Sequence, residues 1–255
     1  DGSSYSGFVI KDDAREILLK TTNVGEIYIP KVSIKSVTEI DKVGKMKQGK
    51  YFGEETYYTR YLFSPNAFSL KRGEGNAYLP YGTYIQSQFG VSEKLDVGIG
   101  TSWLGNPLTL TIKYSMPVSE GLNFAIGGLG LTSTYSLGGY FGGGLGFGVL
   151  TKGKPASNIS FGGGYGVLFL NGIVSQGYAF TGGAYHRLAH RWAVMLDGLY
   201  LPEFRTYIAG PGVRYYRQRK EGEIIDFGIM LIGNQFVNSA APIFGFPLIS
   251  YIVTL

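Results

Sequence analysis

Large apolar residues alternate with glycine or serine along much of this chain. Phe141-Gly-Gly-Gly-Leu145-Gly-Phe147-Gly-Val149 and Ile159-Ser-Phe161-Gly-Gly-Gly-Tyr165-Gly-Val167 set the pattern. In a strand, successive side chains point to opposite faces. Such a segment therefore carries one bulky, greasy face and one face with almost no side chain. A soluble sheet usually hides its apolar face and turns Lys, Glu or Thr to water. The pattern here predicts the converse, large apolar residues outside and small or polar residues inside, which is the arrangement of a transmembrane β-barrel. From Thr59 on, the alternation repeats every 12 to 18 residues or so, with turn signals between. It predicts strands near 59–70, 76–90, 94–104, 107–118, 121–134, 138–151, 158–171, 175–188, 191–201, 206–218, 223–234 and 242–255. That makes an all-β, antiparallel barrel of about twelve strands, an even number as in bacterial barrels.

The connections support a phase. Polar turns at 92–94, 119–121, 188–191 and 219–222 are compact and fall on every second connection. Those around 71–76, 132–136, 171–176, 202–206 and 235–241 alternate with them. The tight 103–107 connection and the longer 151–158 one depart from the rule. Short turns belong to the periplasm and long loops to the exterior, so this phase places both barrel ends in the periplasm. It depends on the 59–70 strand, without which the count is odd.

Residues 1–50 differ. They are charged and poor in glycine, and they predict four short strands: Gly7-Phe-Val-Ile-Lys-Asp-Asp13, Glu16-Ile-Leu-Leu-Lys-Thr-Thr22, Glu26-Ile-Tyr-Ile-Pro30 and Val32-Ser-Ile-Lys-Ser-Val-Thr-Glu-Ile40. Asn23-Val-Gly25 is a turn, and Pro30 marks a break. This order resembles an Sm-like or SH3-like small barrel, and it is read as a small β module in the periplasm. A basic, glycine-punctuated linker, Lys42-Val-Gly-Lys-Met-Lys-Gln-Gly-Lys50, leads to about residue 58 and reads as solvated or as lying near anionic head groups. The barrel domain is expected over 59–255.

Composition narrows the picture. No run of about 18 apolar residues is present, which argues against a helical span. The 20 Tyr and 16 Phe suit barrel girdles as well as a sandwich core. There are no cysteines, hence no disulfide framework. The net charge of +5 reads as a solvated basic surface, without the fold signals of a nucleic-acid module. No secretory leader is visible at Asp1, so the chain reads as a mature one whose leader has been removed.

Tyr61-Leu-Phe-Ser-Pro-Asn-Ala-Phe-Ser-Leu-Lys-Arg-Gly-Glu-Gly75, with Tyr84-Ile-Gln-Ser-Gln-Phe-Gly-Val91, Leu95-Asp-Val-Gly-Ile-Gly100 and the earlier Gly25-Glu-Ile-Tyr-Ile-Pro30, resembles a family of uncharacterised outer-membrane barrels of Bacteroidota-type bacteria. The resemblance spans most of the chain and implies barrel fold and outer-membrane location, but no activity. The last strand of such barrels commonly ends in an aromatic residue; here it ends in Leu255, with Tyr251 on the same face.

Candidate chemistry lies in the lumen. If Leu95, Val97 and Ile99 face lipid, Asp96 faces inward. By the same alternation Lys113, Asp197, Arg214 and Asp226 point inward, joined by Arg60, Gln86 and Gln88. In hydrocarbon such charges cost several kcal/mol each unless sheltered. They read either as a network that plugs a narrow barrel or as a polar path. His186 and His190 flank a turn on the side away from the outer leaflet and read as solvated turn residues. Asp12-Asp13 reads as a turn without the remaining ligands of a calcium loop. The glycine tracts lack the context and Lys-Ser/Thr signature of a phosphate loop. No metal, cofactor or catalytic set is expected.

Three functional readings follow. The first is a non-enzymatic accessory or scaffold subunit of a larger envelope complex. The alternative is a porin-like small-solute channel, which predicts a continuous hydrated path past Asp96, Lys113, Asp197, Arg214 and Asp226 and which a sealed lumen would sink. The third, a lipid-active enzyme using His186 or His190, is disfavoured by siting. A secreted soluble β protein with a glycine-rich core is the rival to the membrane reading. Expected partners are outer-membrane lipids, lipopolysaccharide, and other outer-membrane or periplasmic proteins, with no nucleic acid.

Overall fold

The computed structural model describes residues 3, 5, 7–21, 24–37, 46–47, 50–51, 56–135, 139–189, 191–217, 222–234 and 244–255. The chain divides into two compact units, Asp1–Glu54 and Glu55–Leu255.

In the first unit, β1 (Gly7–Asp12), β2 (Glu16–Thr21) and β3 (Gly25–Pro30) form an antiparallel sheet in the order β1-β2-β3. A bulge between Val9 and Lys11 bends β1. The Asp13 carboxylate closes the first turn by accepting the N–H groups of Arg15 and Glu16, both at 2.9 Å. Those two bonds hold its pKa below the ordinary aspartate value. The fourth strand expected over 32–40 is not found in its described part. Lys31–Ser33 is a single 3-10 turn after Pro30, and 34–37 is irregular. Residues 38–40 and most of the basic linker lie outside the described residues, apart from the short pair β4 (Met46–Lys47) and β5 (Lys50–Tyr51).

The second unit is a closed antiparallel barrel of twelve strands. They are β6 (Gly75–Pro80), β7 (Tyr84–Gly90), β8 (Leu95–Ser102), β9 (Leu108–Ser119), β10 (Leu122–Thr132), β11 (Phe141–Lys154), β12 (Ser157–Leu170), β13 (Ile173–Arg187), β14 (Trp192–Leu201), β15 (Thr206–Tyr216), β16 (Glu223–Asn234) and β17 (Phe244–Thr254). Each pairs with its sequence neighbour, and β17 closes the ring on β6 from Ser250↔Pro80 to Thr254↔Asn76. Two expectations are corrected. Residues 59–70 form no barrel strand, and the stretch read as one strand over 76–90 is two, β6 and β7, joined by a turn at 81–83. The two errors cancel, so the count stays at twelve.

The strand ends at Gly90/Leu95, Ser119/Leu122, Lys154/Ser157, Arg187/Trp192 and Tyr216/Glu223 share one end of the barrel with the start of β6 and the end of β17; we call this the terminal end. Those at Pro80/Tyr84, Ser102/Leu108, Thr132/Phe141, Leu170/Ile173, Leu201/Thr206 and Asn234/Phe244 lie at the opposite end.

Outward strand positions carry no Lys, Arg, His, Asp or Glu except Lys152, Lys154, His186 and Glu223, all near the terminal end. Ile99, Ile112, Phe161, Phe180, Leu196, Phe227 and Ile229 are among the exposed apolar side chains that form a belt around the wall. Trp192 and Tyr215 pack together at the terminal end, ring centroids 4.7 Å apart and planes tilted 47°, as in an interfacial girdle. A continuous apolar belt of this extent is unstable in water and stable in hydrocarbon. The unit is a transmembrane barrel. Among the described residues no helix is long and apolar enough to cross a membrane.

The alternation is present, but its sense differs between neighbours. β12 follows expectation: Phe161 and Tyr165 face out, and Gly162, Gly164 and Gly166 face in. β11 is reversed: Leu145, Phe147 and Val149 face the lumen, and Gly144 and Gly146 face out. Register explains the reversal. Leu145 is opposite Gly166, and Phe147 opposite Gly164, so each inward pair has one large and one absent side chain. Period-two spacing reports two faces without saying which is the inner one.

A strapped lumen as the candidate functional site

Residues 57–70 enter the barrel as an irregular strap. Tyr57, Thr59, Tyr61, Leu62, Ser64, Asn66, Ala67, Phe68 and Leu70 are buried. The strap is folded back on itself. Asn66 N–H donates to the Thr59 carbonyl, Tyr61 N–H to the Ser64 carbonyl, and the Asn66 amide group to the Tyr58 carbonyl. Irregular backbone at membrane depth is tolerated only where protein or water satisfies its polar groups. Here the wall supplies the partners.

Arg214 and Asp226 face each other across β15 and β16 in a two-bond pair, Nε to Oδ1 at 2.8 Å and Nη2 to Oδ2 at 2.9 Å. Both are buried. The same guanidinium donates to the strap carbonyls of Tyr57 (2.7 Å) and Tyr61 (3.3 Å) and lies over the Tyr57 ring. Lys113 pairs with Asp96 at 3.3 Å and donates to the carbonyls of Asn66 and Phe68. Asp96 accepts Ser69 Oγ, Leu70 N–H and Gln88 Nε2. Asp197 has no cation within ion-pair distance among the described residues; the N–H groups of Phe63 and Ser64 hold its Oδ2 at 2.8 and 2.9 Å. Arg60, on the strap itself, donates to Gln86 Oε1 at 2.9 Å and rests against the Tyr78 ring.

Further anchors come from Tyr78 to the Leu62 carbonyl, Thr151 to Ala67 N–H, and Asn158 and Ser160 to the Tyr61 hydroxyl. Wall partners thus come from β6, β7, β8, β9, β11, β12, β14 and β15. Shape matches chemistry. A Cβ on Gly183 would sit 2.3 Å from the Tyr61 ring, and one on Gly212 2.9 Å from Leu62, so these two glycines admit the strap side chains.

The eight residues expected to form a lumen network are therefore placed as follows. Gln86, Gln88, Asp96, Lys113, Asp197, Arg214 and Asp226 line the inner wall, and Arg60 comes from the strap. The unobstructed path required by an open channel is not there. Asp96, Lys113, Asp197, Arg214 and Asp226 are at most 4% exposed, and the strap fills the space between them.

Beyond the strap toward the opposite end, the lumen holds a cavity of about 250 Å³. Thr59, Arg60, Gln86 and Gln88 line one side, and Leu129, Leu145, Phe147 and Leu199 the other. Arg60, Leu129, Leu145, Phe147 and Leu199 remain partly exposed, so solvent reaches it.

No protein-family profile matches the chain, and no curated protein does. Among solved structures it is similar to the KdgM porin, determined in complex with disordered oligogalacturonate, at 8% identity over 71% of this chain and 95% of that one, TM-score 0.45. The NanC porin is similar at 10% identity over 71% and 97%, TM-score 0.44. The CymD monoaromatic hydrocarbon channel is similar at 11% identity over 72% and 88%, TM-score 0.38. At this level of identity and overlap, those proteins' solutes do not carry over to this chain.

His186 lies on the outward face of β13 rather than in the turn, its Nδ1 3.0 Å from Ser157 Oγ on β12. His190 lies outside the described residues. Among the described residues no group of His, Asp and Glu could hold a metal ion. The strap itself, with Tyr61 and Leu62 at its tip, and its anchors Tyr78, Thr151, Asn158 and Ser160 are not evident from strand periodicity. One signal was present: Pro65 in the middle of 59–70, where a strand paired on both sides would lose a ladder bond.

Proposed function

We propose that the second unit is a porin-like passage for small solutes in a bacterial outer membrane, held shut at rest by its own strap. The division of the lumen carries this reading. One half is filled by a segment tied down through hydrogen bonds alone, several of them from the two ion pairs of the wall; the other half holds a solvent-reached cavity. A twelve-stranded barrel is wider than the size that wall side chains alone fill, and here eight strands present polar groups to one continuous segment that no disulfide fixes in place.

In this reading the protein is not an enzyme. The terminal end faces the periplasm, and the opposite end, where β10 and β11 and also β16 and β17 are furthest apart in sequence, faces outward, which puts the first unit in the periplasm. Outer-membrane lipids and lipopolysaccharide surround the apolar belt. The accessory-subunit role ranked first from sequence has no structural observation in its favour and gives way to the passage reading.

Planar-bilayer conductance tests it. Wild-type protein is expected to pass little or no steady current. A variant with 57–70 replaced by a Gly/Ser linker of equal length, folded as judged by heat-modifiable migration, is expected to conduct steadily. A folded strap-free barrel without current, or a wild-type protein already fully conducting, would overturn the proposal.

A further inference from the structure

We propose that the lumen cavity binds small amphiphilic monocarboxylates, with the carboxylate at Arg60 and the hydrocarbon part against β10, β11 and β14. The inference rests on the passage reading for its biological sense, since it names the solute class, but it is tested by binding rather than flow.

The cations of the lumen are not equivalent. Lys113 and Arg214 each have a carboxylate, at 3.3 and 2.8 Å, and direct further donors to strap carbonyls. Arg60 has no carboxylate within ion-pair distance among the described residues. Its described bond is Nη1 to Gln86 Oε1, and a guanidinium has five N–H donors in a planar fork. It is half-buried against Tyr78, where a missing counter-ion matters more than on an open surface.

The facing wall sets the rest of the ligand. Leu129, Leu145, Phe147, Ala179 and Leu199 offer no side-chain hydrogen-bond partner, and Thr181 is the one hydroxyl among the named lining of that side. A sugar would leave hydroxyls unpaired there, at a cost of roughly 1–3 kcal/mol for each one desolvated. An apolar tail or ring meets that wall without loss. One carboxylate matches the lining, because Asp96 and Lys113, also in it, are paired with each other and leave Arg60 as its one cation without a carboxylate among the described residues. At about 30 Å³ for each water-sized group, the volume suits a ligand of roughly eight non-hydrogen atoms. Hexanoate has the required size, charge and tail.

Isothermal titration of the full-length protein in lipid nanodiscs tests this, with hexanoate, 1-hexanol and hexylamine as probes and empty nanodiscs as the partition blank. Saturable hexanoate binding at least about tenfold tighter than hexanol is expected, as one charge-assisted contact supplies that factor. Hexylamine should not bind. Arg60→Gln should bring hexanoate down to the level of hexanol. Leu145→Trp, which fills the apolar side and leaves Arg60 in place, should weaken both. Equal binding of acid and alcohol, partition without saturation, or a preference for acid that survives Arg60→Gln would each overturn the assignment. Failed binding beside a conducting strap-free barrel removes this inference alone. Intact binding beside a strap-free barrel that passes no current removes the passage reading alone.

Discussion

Arg214 concentrates most of what the barrel interior does. It is buried, paired through two bonds with Asp226, and bonded to two strap carbonyls. A buried pair adds little over a well-packed apolar pair, but removing one member strands the other charge. Asp226→Asn is therefore expected to destabilise the barrel by about 3–5 kcal/mol, read as a lowered urea midpoint of vesicle-folded protein. The double change Arg214→Met with Asp226→Leu should recover part of the loss. A single variant as stable as wild type would show that strap carbonyls alone hold the guanidinium. The inward direction of Arg214 was legible from its neighbours Val213 and Tyr215. Its partner was not, because register rather than local spacing sets Arg214 opposite Asp226. Thr151 and Asn158 were silent for a simpler reason: an inward polar residue in a barrel strand is ordinary until something inside needs it.

At the scale of elements, the barrel was readable and the strap was not. Ten strands, from 94–104 to 242–255 in the expected order, correspond closely to β8 through β17. The 59–70 segment has the apolar content and length of a strand, but its bonds run to side chains on eight others, and nothing local encodes that. The missing turn was signalled by Pro80-Tyr81-Gly82, where Tyr81 and Gly82 adopt φ of 51° and 64°. The strap's seat is specific enough to test. Gly183→Val puts a branched side chain where the Tyr61 ring lies. Ser64→Cys, 2% exposed, is expected to react slowly with a small water-soluble maleimide. In the Gly183→Val background labelling should be at least about tenfold faster, the equivalent of about 1.4 kcal/mol of strap destabilisation. Equal rates in the two backgrounds would mean that Tyr61 does not govern seating.

At the scale of the whole barrel, the wall is uneven in height. Strands β6, β7 and β8 have 6, 7 and 8 residues, while β11, β12 and β13 have 14, 14 and 15. A strand tilted across a hydrocarbon core of about 30 Å needs roughly 9–11 residues. One flank therefore falls short of the bilayer and the other overshoots it. Lipid next to the low flank must thin, or the barrel axis must lean, at a modest cost for each ångström of mismatch. Polarised infrared spectroscopy in phosphatidylcholines of increasing chain length should show the lean growing with thickness; an axis that stays upright in every lipid, with no thinning at β6–β8, would count against it. A membrane made thinner on one side is also easier for small amphiphiles to cross there. The lipid beside the low flank, rather than the protein interior alone, thus becomes part of the permeability barrier.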